Sequence, residues 1–244
     1  MQVETNIAAY APADVSRLAG TLRLLAMHDI SRWALTGGTA IELHLQRIGA
    51  TPGLRPLLDI DFIAEDFSSL PESLGEGLLL RHVHPHDPPG KTMLQAVAAE
   101  TSVRIDVFRA YGNEMNRVRR IRIFDVDVQL VAIQYLGARH ARLCCGLLRG
   151  ERLAPKFARD FLRLAAVIKP ERMEPVWREH RKFDDPMTFV NTLALVREAI
   201  ATRTDLLVQP VYSKDVNEPC NRCKGTAAFA LADPSQVLAL LGYC

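Results

Sequence analysis

The sequence predicts an α/β or α+β fold, with a strand-rich first half and a helical second half. Short strand patterns mix with helix patterns up to about residue 131, and helical periodicity dominates after it. Hydrophobic residues make up 48% of the 244 residues and charged residues 24%, so the chain can bury a full core. We therefore expect a core over 1–131 and a helical region with an irregular tail over 132–244, or one fused domain that combines them.

The first predicted elements surround a pair of glycines. Residues 13–28 repeat apolar side chains at helical spacing, which predicts an amphipathic helix. A short apolar strand over 33–35 runs into the sequence Thr-Gly-Gly-Thr, and residues 39–48 return to helical periodicity. Gly and Pro in 49–56 predict a loop before the next strand.

The remaining elements follow the same reasoning. Residues 57–63 alternate as a strand does, 92–98 and 103–108 show two more strand patterns, and 120–131 predict a hairpin that turns near Asp125. Helical periodicity then predicts helices over 132–148, 155–168 and 187–202, with Pro170, Pro175 and Pro186 as breaks, and a short helix over 234–241.

Composition excludes several classes of protein. The net charge of +2 excludes a globally basic nucleic-acid coat and an acidic tail protein. No apolar run approaches the ~18 residues that span a bilayer, and the N-terminus lacks the pattern of a secretory signal. Five cysteines are an odd number and too few for a disulfide scaffold. We expect a cytoplasmic protein with no membrane partner.

Asp59-Ile60-Asp61-Phe62 carries the clearest chemical signal. On a strand, residues i and i+2 face the same side about 6.6 Å apart, so the two carboxylates can share divalent cations. Oxygen ligands of this kind suit Mg²⁺ or Mn²⁺. Gly37-Gly38 lies between a strand and a helix, where the backbone can approach a phosphate closely. Thr39 is expected to cap that helix or to donate its hydroxyl to the phosphate.

A third acid completes this set. Asp106 interrupts the apolar strand pattern of 103–108, and a carboxylate in a buried strand is costly unless it is paired or bound to a metal. If this strand neighbours 57–63, Asp106 joins Asp59 and Asp61 at one edge. Three carboxylates around two cations form a site for two-metal phosphoryl transfer, in which Asp106 can also accept the proton of an attacking hydroxyl.

These motifs resemble the DNA polymerase β-like nucleotidyltransferase superfamily, and within it the AbiEii-like toxins of abortive-infection and toxin–antitoxin systems. The resemblance rests on LTGGTAIELHL, on RPLLDIDF and on RIDVF, and it covers roughly residues 30–165. It implies a mixed-sheet nucleotidyltransferase core, Mg²⁺, an NTP donor, and transfer of NMP to a hydroxyl acceptor. In this branch the acceptor is often RNA, notably tRNA, and a cognate antitoxin silences the activity.

The resemblance also implies roles for individual residues. Gly37 and Gly38 match the phosphate-binding pair, and Asp59, Asp61 and Asp106 match the metal-binding and catalytic carboxylates.

Further positions match less completely. Arg55 stands where this branch has Arg-x-Ser/Thr-x-Asp, although Leu57 occupies the hydroxyl position. Downstream, Lys156 and Asp160 match a Pro-Lys-Asp-x-x-Asp helix, with Phe157 in place of its first acid. Lys156 and Arg55 would then neutralise the triphosphate, and Asp160 would orient it or cap a helix contact. Arg139 and His140 are alternative equivalents of a further lysine on the preceding helix.

The sequence is compatible with three classes of hydroxyl acceptor. Residues 117–163 hold eleven Lys/Arg against four Asp/Glu, a local charge of +7, which favours RNA or another polyphosphate. The modest net charge favours a small-molecule hydroxyl, and a protein hydroxyl is a further alternative. Leu57 and Phe157 stand where the family has polar groups. They favour a non-enzymatic hypothesis, in which the chain is a catalytically degenerate nucleotide-binding or interaction protein.

The remaining motifs predict little catalytic chemistry. His82, His84 and His86 would share one face of an extended segment and could bind a metal, but the prolines that follow favour a solvent loop. Asp125-Val-Asp127 is a second D-x-D at a predicted turn.

Two groups of cysteines differ in their expected role. Cys220 and Cys223 form a CxxC that could hold a structural zinc ion, although a second ligand pair is missing from the motif. Cys144 and Cys145 are expected to be packing residues.

Overall fold

The structure is a computed structural model that describes residues 3–4, 6–65, 71, 73–83, 93–98 and 100–209. Contacts divide the chain into two units with a boundary between Val131 and Ala132. The predicted tail motif of Cys220 and Cys223 and the predicted helix over 234–241 lie outside the described residues. His84 and His86 also lie outside them.

The described part of the first unit is built on one eight-stranded mixed sheet. Its strands are β1 (Val3–Glu4), β2 (Trp33–Thr36), β3 (Asp59–Ala64), β4 (Leu79–Val83), β5 (Met93–Ala98), β6 (Val103–Arg109), β7 (Arg119–Ile123) and β8 (Val126–Leu130). Their order across the sheet is β1-β7-β8-β2-β3-β6-β5-β4. The β1–β7, β2–β8 and β3–β6 pairs are parallel and the other four are antiparallel, which confirms the mixed-sheet α+β class.

Helices of the first unit pack on this sheet through apolar faces. They are α1 (Pro12–Leu25), α2 (Gly37–Arg47) and the single turn α3 (Leu74–Gly77), with a 3₁₀ turn over Glu114–Arg117. Pro12 opens α1, where a missing N–H is harmless, and Leu18, Leu22 and Leu25 are fully buried. The hairpin turns at Phe124 and Asp125, both at positive φ, as the sequence predicts near Asp125.

The second unit is helical in its described residues. Its helices are α4 (Ile133–Cys144), α5 (Pro155–Val167), α6 (Pro170–His180) and α7 (Phe189–Thr202), with 3₁₀ turns over Cys145–Arg149 and Thr204–Leu206. Trp177 and Phe189 meet edge-on with centroids 6.1 Å apart and are fully buried. Cys144 and Cys145 are buried and free, consistent with packing roles.

The expectation that Pro170 and Pro175 interrupt helical structure is wrong, because both lie in α6. Pro170 occupies the first turn, where proline is favoured. Pro175 removes one hydrogen bond farther along, but Met173, Val176 and Trp177 are buried and hold the segment helical by packing.

Two other expectations are also corrected. The single helix over 132–148 gives way to a 3₁₀ turn at Cys145, which ends at Gly150 in the left-handed region. His82 belongs to strand β4 rather than to a loop. No helix within the described ranges combines the length and apolar character needed to cross a bilayer.

Acid should destabilise the second unit through His180. Burial first, then Arg139 and Arg142, lowers the pKa of His180 to about 3, and its ring meets that of Tyr135 edge-on at 5.3 Å. The unfolded chain takes up a proton near pH 6.5 and the folded chain does not. This contribution to the free energy of unfolding is therefore fully present above pH 6.5 and is lost as the pH decreases, with a loss of ~2 kcal/mol at pH 5.

The measurement is urea unfolding at pH 8 and pH 5 of the natural chain and of His180→Phe, which keeps a ring against Tyr135. The variant should lose ~2 kcal/mol less than the natural chain between the two pH values. An equal loss in both proteins would contradict the assignment of this acid sensitivity to His180.

Candidate active site

Two adjacent strands of the first unit bring the predicted carboxylates together, and a third strand places the start of α2 beside them. Asp59 and Asp61 lie two residues apart on β3 and so face the same side. Asp61 pairs in register with Asp106 on the parallel strand β6, and on its other side with Thr36 at the end of β2. Paired residues on neighbouring strands share a face, so all three carboxylates belong to one face of the sheet beside the start of α2.

Gly37 packs directly against Asp61. Its φ is +63°, a left-handed conformation that residues with a side chain rarely adopt. A Cβ added at Gly37 would lie 2.6 Å from Cγ and 2.7 Å from Cβ of Asp61. The close approach of the backbone to this carboxylate therefore requires a glycine at this position.

Helix α2 starts at Gly37 itself, so the glycine pair forms its first turn. Thr36 is the residue before the helix and makes no side-chain cap within the described structure. The first-turn N–H groups and the positive end of the helix dipole thus lie beside the carboxylates, where they suit an anion such as phosphate.

The expectation that Thr39 caps this helix is wrong, because Thr39 is already inside it. Its hydroxyl shares a buried 2.9 Å hydrogen bond with the Tyr10 hydroxyl, and Thr39 is 2% exposed. Burial raises the pKa of Tyr10 to about 12, so the phenol stays neutral. Thr39 is held by the core.

A buried ion pair positions Arg55 over the second glycine. Arg55 Nη2 lies 3.1 Å from Glu42 Oε1, and the Glu42 side chain is only 1% exposed. The Arg55 guanidinium also occupies the space that a Cβ at Gly38 would need. Glu42 accepts a 3.3 Å hydrogen bond from the Gly53 N–H as well, which ties the loop before β3 to α2. The positive charge of Arg55 is thereby fixed at the glycine turn.

Arg104 is the residue of this site that the sequence analysis missed. It stands two residues before Asp106 on β6 and pairs in register with Asp59. Its guanidinium forms an ion pair with Asp59 through Nη2, and its Nε lies 3.1 Å from Asp106 Oδ2. The available signal was its i−2 spacing from Asp106, which places both side chains on one face of the strand.

The three carboxylates are of the chemical type that binds a divalent cation. Three carboxylates at adjacent register positions supply the hard oxygen ligands that Mg²⁺ and Mn²⁺ prefer. Their present positions do not converge: across the described residues, no group of three or more His, Cys, Asp or Glu side chains is placed to hold a metal. Asp59 and Asp106 instead face the Arg104 guanidinium.

Leu57 is a core side chain at the position where the motif of the resembling family has Ser or Thr. It is 2% exposed, its N–H donates to Asp14 Oδ2 at 3.0 Å, and its carbonyl accepts from Arg17 Nη1 at 3.3 Å. This position contributes to packing at the start of β3.

The downstream candidates lie on α5 and α4 of the second unit. Lys156 is exposed, with its Nζ 5.1 Å from the Phe157 ring centroid. Asp160 is 3% exposed, and Arg159 Nε lies 3.9 Å from it. His140 is buried with its Nδ1 on the Leu136 carbonyl at 2.9 Å, whereas Arg139 is half-buried.

Comparisons with known proteins find similarity in solved structures only. No protein-family model matches the chain, and no curated protein matches it. A nucleotidyltransferase-like antigenic protein from Paracoccidioides brasiliensis is 17% identical, with 84% of this chain and 99% of that chain covered, at a TM-score of 0.46. The protein JHP933 from Helicobacter pylori is 16% identical over 79% of this chain and 91% of that chain, at 0.34.

A third similar structure is MenT4, a nucleotidyltransferase toxin from Mycobacterium tuberculosis H37Rv. It is 14% identical, with 96% of this chain and 95% of that chain covered, at a TM-score of 0.31. These identities and scores are low, so the functional proposal depends on the residues of the site.

Proposed function

We propose that the chain is a divalent-cation-dependent nucleotidyltransferase that moves NMP from an NTP to a hydroxyl acceptor, with release of pyrophosphate. The observation that carries the proposal is the register of the site: Asp61 lies between Asp106 on one side and the Thr36–Gly37 turn on the other. A carboxylate site for cations and a helix start suited to phosphate thus adjoin within a few residues of one strand.

Each residue has a role in this proposal. The backbone N–H groups of Gly37 and Gly38 bind the β- and γ-phosphates, and Arg55 balances their charge. Asp59 and Asp61 would hold Mg²⁺ or Mn²⁺, which supplies charge neutralisation at the donor phosphates. Asp106 would complete this ligand set and accept the proton that the acceptor hydroxyl releases. As in other phosphoryl transfers, the protein acts mainly by positioning and electrostatics.

RNA is the acceptor class that surface charge favours. Arg117, Arg119 and Arg120 are exposed around the start of β7 in the first unit. The Arg120 and Arg122 side chains lie 3.2 and 3.9 Å from Asp127. Basic side chains at this density suit a phosphodiester backbone. Within this proposal the chain is the toxin of a toxin–antitoxin pair.

The test is an assay with each α-labelled NTP and Mg²⁺, against total cellular RNA and against the protein alone, with Asp59→Ala as the control. Label in RNA that is missing with the control supports the proposal and names the donor. Label on protein supports transfer to a protein hydroxyl instead. Absence of transfer to RNA, protein and a panel of small alcohols would contradict the enzymatic proposal.

Two observations favour a second candidate, a nucleotide-binding protein without transferase activity. Arg104 already pairs with both Asp59 and Asp106, and Leu57 is packed in the core where the family has a hydroxyl. Calorimetry with unlabelled NTP together with the transfer assay separates the candidates, because a degenerate site binds nucleotide and transfers nothing.

A further inference from the structure

Arg104 contacts one oxygen atom on each of two carboxylates that a cation would need. Its Nη2 contacts Asp59 Oδ2 and its Nε lies 3.1 Å from Asp106 Oδ2, so one guanidinium spans two of the three carboxylates. The pairing is also fixed by the backbone, since Arg104 is the register partner of Asp59 and lies two residues before Asp106 on the same strand. A planar guanidinium with several donors is well suited to bridge two carboxylates.

The contact is partly open to solvent. The side chains of Arg104 and Asp59 are 24% and 22% exposed, and that of Asp106 is 8% exposed. Ions can therefore reach the edge of the cluster, and the Arg104 side chain has solvent into which it can withdraw. The charge balance also changes on exchange, because a divalent cation offers two positive charges where the guanidinium offers one.

We propose that Arg104 is a built-in counterion that competes with the divalent cation for Asp59 and Asp106, so that metal binding requires its guanidinium to leave the carboxylates. The inference rests on the proposed function, because it concerns the same cation site. It assigns Arg104 as a positioning residue that closes the site at low metal concentration.

The experiment is calorimetric titration of Mn²⁺ alone into the full chain, the Arg104→Met variant and Arg109→Gln. Arg109 lies exposed at the end of the same strand, so its variant makes the same change of charge away from the carboxylates. Arg104→Met should bind Mn²⁺ at least about tenfold more tightly than the natural chain, and Arg109→Gln within about twofold of it. Arg104→Gln serves as the second variant if the Met variant does not fold.

A second readout needs no enzymatic activity. Mn²⁺ should raise the thermal midpoint of Arg104→Met more than that of the natural chain, because a ligand that binds the folded state more tightly stabilises it more at the same concentration. Equal or weaker Mn²⁺ binding by both Arg104 variants, with clear binding by the natural chain, would overturn the inference and leave the proposed function standing. Failure of all the proteins to bind Mn²⁺ would overturn both.

Discussion

Asp61→Asn should lower nucleotidyl transfer by about a thousandfold or more while the protein stays folded. Asp61 lies at the centre of the site, between Asp106 and the Gly37 turn. Asparagine keeps the shape of the side chain but removes the negative charge that would hold a cation. Loss of a cation's charge stabilisation of ~4 kcal/mol in the transition state corresponds to about three powers of ten in rate.

The matched control is Asp127→Asn, in the second D-x-D of the sequence. Asp127 lies on β8, is exposed, and pairs with Arg120 at 3.2 Å. Its variant should keep full transfer activity, and both variants should unfold in urea within about 1 kcal/mol of the natural chain. Activity above a tenth of the natural value in Asp61→Asn would remove Asp61 from the proposed mechanism.

The elements around the site could be predicted because local patterns there agree with the tertiary fold. Alternation of apolar residues predicts β3 and β6, and helical periodicity after two glycines predicts α2. Helix α6 could not be predicted, because Pro175 opposes helix formation in its interior and only buried side chains such as Trp177 override this effect. Strand β4 was not predicted because the prolines that follow His82, the one histidine of the motif within the strand, favour a loop.

The carboxylates of the site could be predicted, but their partners could not. Asp59, Asp61 and Asp106 stand out as acids in apolar strands, and the structure places them at adjacent register positions. The Tyr10–Thr39 pair joins side chains 29 residues apart, and Arg104 reaches an aspartate 45 residues away. Such contacts depend on strand order and register, which no local pattern specifies.

Gly37→Ala should lose both stability and activity, because two separate costs meet at this residue. The φ of +63° costs an L-residue about 1–2 kcal/mol. The added Cβ would also lie 2.6 Å from Asp61 Cγ, so Asp61 or the start of α2 must move. We expect the free energy of unfolding to fall by about 2–4 kcal/mol and transfer to fall at least about a hundredfold, since an ångström of misplacement suffices for that.

Gly49→Ala isolates the backbone cost from the clash. Gly49 has a φ of +71°, yet an added Cβ there would meet nothing within 4 Å. This control should lose only about 1–2 kcal/mol of stability and keep its activity. Urea unfolding and initial rates of transfer measure the two effects on the same preparations. If Gly37→Ala matched Gly49→Ala in both, the close approach of Gly37 to Asp61 would have no part in holding the carboxylate in place.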